Sequence, residues 1–270
     1  MNDLEKEFLK STDLSIKWKK YFQIYDNLFS RFRKKKITFV EVGISNGGSL
    51  KIWRNYFSKE SRIIGIDLNP ECKRFEDKDN NIEVFIGNQS DENFWKEFYS
   101  KVGNVDIILD DGGHSNLDQI TTVCSSIEKI NDNGMIVVED THTSYVDLYN
   151  SSKNHSFINF SKKLIDDINS NIKMNLKINF EYSLKKFVYS IEFYESVVVL
   201  KVDRNKTYEN YLLNNKGENH KIRDFFFEGN EIYVKNIKNF LKKIPLIRFN
   251  KFTNFLKTRI NNKYIKKYFK

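Results

Sequence analysis

Short apolar runs recur along the first 140 residues, separated by stretches whose apolar positions fall three and four apart. Ile37–Val42, Arg62–Ile66, Ile82–Ile86, Val105–Leu109 and Met135–Val138 are rich in β-branched residues and have the length of buried strands. Ser49–Phe57, Asp91–Tyr99 and Asn116–Ile130 read as the helices between them. Such alternation predicts βαβ units around a parallel sheet. Asn133-Gly134 predicts the turn ahead of the fifth strand. Residues 1–36 read as a helical cover, with Leu14, Trp18, Tyr21, Phe22, Tyr25, Leu28 and Phe29 at helical spacing.

The pattern changes after Tyr145. Residues 153–175 read as a polar helix. Phe187–Phe193 and Ser196–Val202 read as strands joined through Tyr194-Glu195. So short a joint suits an antiparallel hairpin and leaves no room for a crossover. The expected fold is α/β. It is a Rossmann-like, doubly wound, mostly parallel seven-stranded sheet that ends in an antiparallel hairpin. The expected organisation is a helical N-terminal cover (1–36), a main domain (37–202) and a basic extension (203–270).

Composition narrows the class. The chain has 270 residues, 40% hydrophobic, enough for a full core. Two cysteines, Cys72 and Cys124, are too few for a disulfide framework or a structural zinc site, and fit a reducing cytoplasm. The N-terminus lacks the apolar run of a signal peptide, and no stretch has the length of a membrane span. The net charge of +9 is local. Residues 231–270 carry 12 Lys/Arg against one acid, leaving 33 basic and 35 acidic residues elsewhere. The basic balance is therefore no nucleic-acid footprint of the whole domain. Only two prolines occur, and the fourth strand is followed by Asp110-Asp111-Gly112-Gly113-His114, without the Pro-Pro-aromatic string of base amino-methyltransferases. No nucleic-acid partner is expected.

The chemistry concentrates after strands. Asp110-Asp111-Gly112-Gly113-His114 follows the fourth and Glu139-Asp140-Thr141-His142 the fifth. Parallel strands carry both strings to the carboxyl edge, where ligands bind. Crowded carboxylates call for a cation or a shared proton. Asp111, Glu139 and Asp140 suit a hard divalent ion, and His114, three residues after Asp111, is placed as general base. A plain alternative makes Asp110-Asp111 a helix cap and His114 a hydrogen-bonded loop residue. His142 either meets substrate or orients Asp140, and Tyr145 either lines an acceptor pocket or joins the core. The first strand runs into Glu41-Val42-Gly43-Ile44-Ser45-Asn46-Gly47, small residues that let a ligand approach the backbone. Because position 45 is Ser, the string is not the dinucleotide fingerprint. Asp67 ends the second strand, where a carboxylate can accept ribose hydroxyls. This order favours a nucleoside ligand with a positive centre.

Glu41-x-Gly43-x-x-x-Gly47, Asp67, Asp110-Asp111-Gly-Gly-His114 and Glu139-Asp140-Thr-His142-Thr-Ser-Tyr145, in this order, resemble the class I S-adenosylmethionine-dependent methyltransferases. More narrowly they are similar to the metal-dependent sugar O-methyltransferases of the macrolide, mycinamicin type. The resemblance covers roughly residues 37–202. It implies that Glu41, Gly43 and Gly47 line the methionine part of S-adenosyl-L-methionine, that Asp67 holds the ribose, that Gln89 and Ser90 approach the adenine and that Asp110 sits near the sulfonium. Mg²⁺ at Asp111, Glu139 and Asp140, with His114 as base, would serve methyl transfer to a sugar hydroxyl of a nucleotide-linked or glycan sugar, in surface polysaccharide or natural-product biosynthesis. Two rival readings are a nicotinamide-dependent oxidoreductase and a non-catalytic membrane-surface module. For the Lys-rich tail a plain helical extension, contact with an anionic inner membrane face, binding of sugar-nucleotide phosphates and packing across a second copy in a homo-oligomer all stay open.

Overall fold

The computed structural model describes residues 1–149, 154–172, 182–218 and 266. Residues Met1–Tyr211 form one compact unit and Leu212–Lys270 a second. The tail from 231 onwards, His220 and parts of the 153–175 stretch lie outside the described residues, Lys266 excepted. Among the described residues no helix is long and apolar enough to cross a membrane.

Seven strands run in the order β3-β2-β1-β4-β5-β7-β6. They are β1 (Thr38–Val42), β2 (Arg62–Asp67), β3 (Ile82–Ile86), β4 (Val105–Asp110), β5 (Ile130–Val138), β6 (Val188–Tyr194) and β7 (Val197–Val202). The first five are parallel, and β7 pairs antiparallel with both β5 and β6. This is the expected mixed sheet. Among the described residues six α-helices pack around it: α1 (Asp3–Lys10), α2 (Tyr21–Phe29), α3 (Gly48–Tyr56), α4 (Glu92–Val102), α5 (Asn116–Ser126) and α6 (Phe157–Asn169). Strand side chains alternate between two cores. Phe39, Ile63, Ile107 and Val137 join α2 and α3 on one face, while Val40, Ile64, Ile108 and Ile136 join α4, α5 and α6 on the other. Two-sided burial is why stretches such as Ile63-Ile64 and Met135–Val138 are apolar at every position.

Three local readings change. Residues 1–36 are not one helical stretch, because 11–20 form an irregular strap between α1 and α2. Leu14 and Trp18, at helical spacing from the α2 core residues, are instead 63% and 61% exposed. Ser11-Thr12-Asp13 supplies the breaker. Asn133-Gly134 lies inside β5 rather than before it; Asn133 is left-handed (φ 67°), and the pairing of β4 with β5 is irregular beside it. The hairpin turn is Glu195-Ser196, one residue later than expected, with Ser196 in the left-handed region (φ 64°).

The sheet order reverses direction between β1 and β4. The crevice of an open α/β sheet forms at such a point. The loops leaving these strands approach so closely that Gly43 (φ 83°) has no room for a side chain, since a Cβ would lie 2.1 Å from the Asp111 carbonyl oxygen. Gly43→Ala is expected to lower the unfolding free energy by more than ~2 kcal/mol. Urea denaturation checks this, and wild-type stability in the variant would contradict the close approach.

Candidate active site

The tips of β4 and β5 deliver acids to one crevice, a cavity of about 860 Å³ lined by Gly43, Asp111, His114, Glu139 and Asp140 among others, while the β1 acid Glu41 is fully buried and does not line it. Backbone hydrogen bonds fix the tips: Asp111 N–H donates to the Val42 carbonyl (3.0 Å) and Glu139 N–H to the Asp110 carbonyl (2.9 Å). The side chains of Asp111 and Glu139 are thereby held side by side.

At the β1 end, Glu41 is fully buried and accepts a hydrogen bond from Ser49 Oγ (2.6 Å). Gly47 (φ 70°) turns the chain into α3. Asp67 Oδ2 accepts from the Ile44 and Ser45 backbone N–H groups (both 3.0 Å), and Oδ1 accepts from Asn69 N–H (2.9 Å). Asp67 lines the crevice and also pins the glycine loop to β2. Gln89 is buried and tied inward: its Nε2 donates to Asp110 Oδ1 (2.9 Å), and its Oε1 accepts from Gly113 N–H (2.7 Å). Ser90 does not line the crevice, and its hydroxyl donates to Asn88 Oδ1 (2.8 Å); Asn88 lines it instead.

Asp110 lies beneath the crevice wall, buried, with Oδ2 unpartnered. Burial raises its carboxyl to about 6. Asp111 and Asp140 flank His114. His114 Nε2 is 3.9 Å from Asp111 Oδ1 and 3.6 Å from Asp140 Oδ2, and its Nδ1 has no hydrogen-bond partner. His114 (φ 57°) and Asp140 (φ 52°) are both left-handed, a conformation uncommon for residues with a Cβ. One ligand atom from each of Asp111, His114 and Asp140 falls within 4.8 Å of the others, a spacing that a metal ion could bridge. Glu139, expected in that set, is turned to the buried side, where it accepts from Tyr25 Oη.

Sequence reasoning missed the centre of this cluster. Lys17, on the 11–20 strap, is 6% exposed and reaches Asp111 Oδ2 (2.5 Å), Glu139 Oε2 (3.4 Å) and Glu41 Oε1 (3.5 Å). Burial opposes its charge, but Glu139, Asp111 and Glu41 together outweigh that and hold the ammonium well above an ordinary lysine. Burial also pushes the carboxyls of Glu139 and Glu41 up. Asp111 and Asp140 each turn an oxygen toward His114 on the open side of the cluster. A further cation fits this donor set.

His142 is half exposed; its Nδ1 meets Ser196 Oγ (2.5 Å) and stands 3.9 Å from Asp140 Oδ1. Tyr145 is 71% exposed, so it is not a core residue, and it does not line the crevice. Cys72 is buried and Cys124 partly so, and burial pushes both thiols up to about 11. His155 is exposed.

The chain is 28% identical over 158 residues to the 8-demethyl-8-alpha-L-rhamnosyl tetracenomycin-C 2'-O-methyltransferase of Streptomyces olivaceus, covering 55% of the chain and 41% of the relative. It is 31% identical over 163 residues to the 8-demethyl-8-(2-methoxy-alpha-L-rhamnosyl)-tetracenomycin-C 3'-O-methyltransferase of the same organism, covering 56% and 41%. The chain is similar to the sugar O-methyltransferases. It spans about two fifths of the length of these two relatives. In structure it matches a MycE methyltransferase from the mycinamycin biosynthetic pathway, solved in complex with Mg and SAH, with a TM-score of 0.66 at 20% identity, covering 85% of this chain and 58% of that one. This likeness establishes the methyltransferase fold. No family model matches the chain.

The Asp110 shift has a definite sign. The folded protein holds this proton more tightly than the unfolded chain, so Asp110 favours folding fully below pH 3.8 and loses that contribution as pH rises through about 6. Its buried charge then costs the fold on the order of 3 kcal/mol. Asp110→Asn should therefore raise stability at pH 7.5, and the gain should shrink as pH falls toward 4. Urea unfolding across that range checks this; a variant less stable at pH 7.5 would contradict it.

Proposed function

We propose that the protein transfers the methyl group of S-adenosyl-L-methionine to a sugar hydroxyl with the help of Mg²⁺. The observation that carries this reading is the convergence of Asp111, His114 and Asp140 beside the Gly43–Gly47 turn. Support comes from the relatives, whose names describe methylation of rhamnosyl hydroxyls, and from the shared fold.

Glu41 and the backbone of the Gly43–Gly47 loop would receive the methionine part, and Asp67 would face the ribose. Asp111 and Asp140 would hold Mg²⁺, with Glu139 adding charge from the buried side. When bound, the ion supplies a Lewis-acid contact that lowers the pKa of an acceptor hydroxyl. A free sugar hydroxyl is a weak nucleophile near neutral pH, so its proton needs a receiver. His114 takes that proton at Nε2 while a C–O bond replaces the C–S bond. Asp111 and Asp140 stabilise the imidazolium that results. Alignment of acceptor and methyl then accounts for much of the rate. Trp18 lines the crevice, and a nucleotide-linked or glycan sugar would enter beside its ring, with His142 behind Asp140.

His114→Ala is expected to slow turnover by ~10²–10⁴-fold while S-adenosylhomocysteine affinity stays near wild type. Mass-spectrometric methylation assays on a panel of sugars and nucleotide sugars, with calorimetry for the cofactor, check this. Undiminished turnover would remove His114 from the role of base. A thermal shift with NADH and none with S-adenosylhomocysteine would overturn the reading as a whole.

A further inference from the structure

The strap before α2 treats the two acids that flank His114 alike. Asp111 presents Oδ2 to Lys17 Nζ and Oδ1 to His114. Asp140 presents Oδ1 to Trp18 Nε1 (3.1 Å) and Tyr21 Oη (2.6 Å), and Oδ2 to His114. Each carboxylate thus spends one oxygen on residues 17–21 and turns the other toward the imidazole. A carboxylate on a free side chain would rotate between rotamers. Here the hydrogen bonds to one oxygen aim the other.

The anchors are unusual for their positions. Trp18 is 61% exposed, so its ring gains little from burial, and its indole N–H reaches Asp140. Tyr21 is buried, and its hydroxyl meets both Asp140 Oδ1 and, as acceptor, the Asp140 backbone N–H (3.3 Å). Asp140 sits in the left-handed region (φ 52°), and the Tyr21 contacts hold that conformation from both sides of the residue. The strap itself is pressed on the start of α3, since a Cβ at Gly48 would lie 2.4 Å from the Leu14 carbonyl oxygen.

We infer that Trp18 and Tyr21 are positioning residues for the cation: they hold Asp140 so that Oδ2 points into the site beside Asp111 Oδ1, with Lys17 holding Asp111 in the same way. This rests on the Mg²⁺ reading above and deepens it. Hydrogen-bond partners behind metal ligands typically matter 10–100-fold to metal affinity.

The test uses charge-neutral changes, so that electrostatic attraction of the ion stays constant. Trp18→Phe keeps a ring and removes the N–H, and Tyr21→Phe removes only the hydroxyl. Mn²⁺ binding is followed by electron paramagnetic resonance on the full chain, S-adenosylhomocysteine binding by calorimetry, and folding by thermal melts. Each variant is expected to weaken Mn²⁺ by ~10-fold or more, with S-adenosylhomocysteine affinity within about twofold of wild type and the fold retained. Wild-type Mn²⁺ affinity in both variants would overturn the inference and leave the Mg²⁺ reading standing. A wild-type protein that binds no Mn²⁺ would overturn the Mg²⁺ reading and this inference with it.

Discussion

Negative charge gathered at one sheet edge is the constraint to which the rest of the site answers. Glu41, Asp111, Glu139 and Asp140 arrive on three neighbouring strand tips, and parallel pairing leaves them no way to diverge. Two of them are buried, where an unpaired charge is far more costly than in water. The chain meets that constraint partly from within. Lys17 places an ammonium among Glu41, Asp111 and Glu139, and Tyr25 donates to Glu139. What remains uncompensated faces His114, on the open side of the cluster.

This division gives the cluster two functional halves. On the buried side, fixed donors hold the acids in place and make the tips of β1, β4 and β5 one rigid unit. On the open side, single oxygens of Asp111 and Asp140 converge on an imidazole whose other nitrogen is unpartnered. A preorganised half-site of this kind suits a hard cation and an acceptor hydroxyl, because the reorganisation has been completed in folding. The glycine loop after β1 runs along the same wall, so a cofactor seated there would lie next to the open half.

The sheet and the acids were legible in the sequence because each obeys a local rule. Runs such as Met135–Val138 are buried on both faces and show as uninterrupted apolar residues, and the motif acids sit at their ends. Lys17 was not legible. One lysine in Ser15-Ile16-Lys17-Trp18-Lys19-Lys20 looks like the chain's other 44 basic residues, and only the fold brings it to acids 24, 94 and 122 positions away. The helical reading missed 11–20 for a related reason: Leu14 and Trp18 have the right spacing, but both are exposed, and Trp18 reaches Asp140 rather than a helix face. Asp67 was singled out by its place at a strand end and Gln89 by the resemblance, while the backbone groups they bind could not be read from residue types. Tyr145 followed the motif and yet lies outside the crevice.

Diffraction from crystals soaked with Mn²⁺ and S-adenosylhomocysteine, with anomalous data at the manganese edge, tests the central claim most directly. A single strong anomalous peak bounded by Asp111 Oδ1 and Asp140 Oδ2, with the homocysteine sulfur density in the crevice beside Gly43, is the predicted result. An anomalous peak elsewhere, or cofactor density bound with the Asp111 and Asp140 carboxylates facing away from each other, would contradict it.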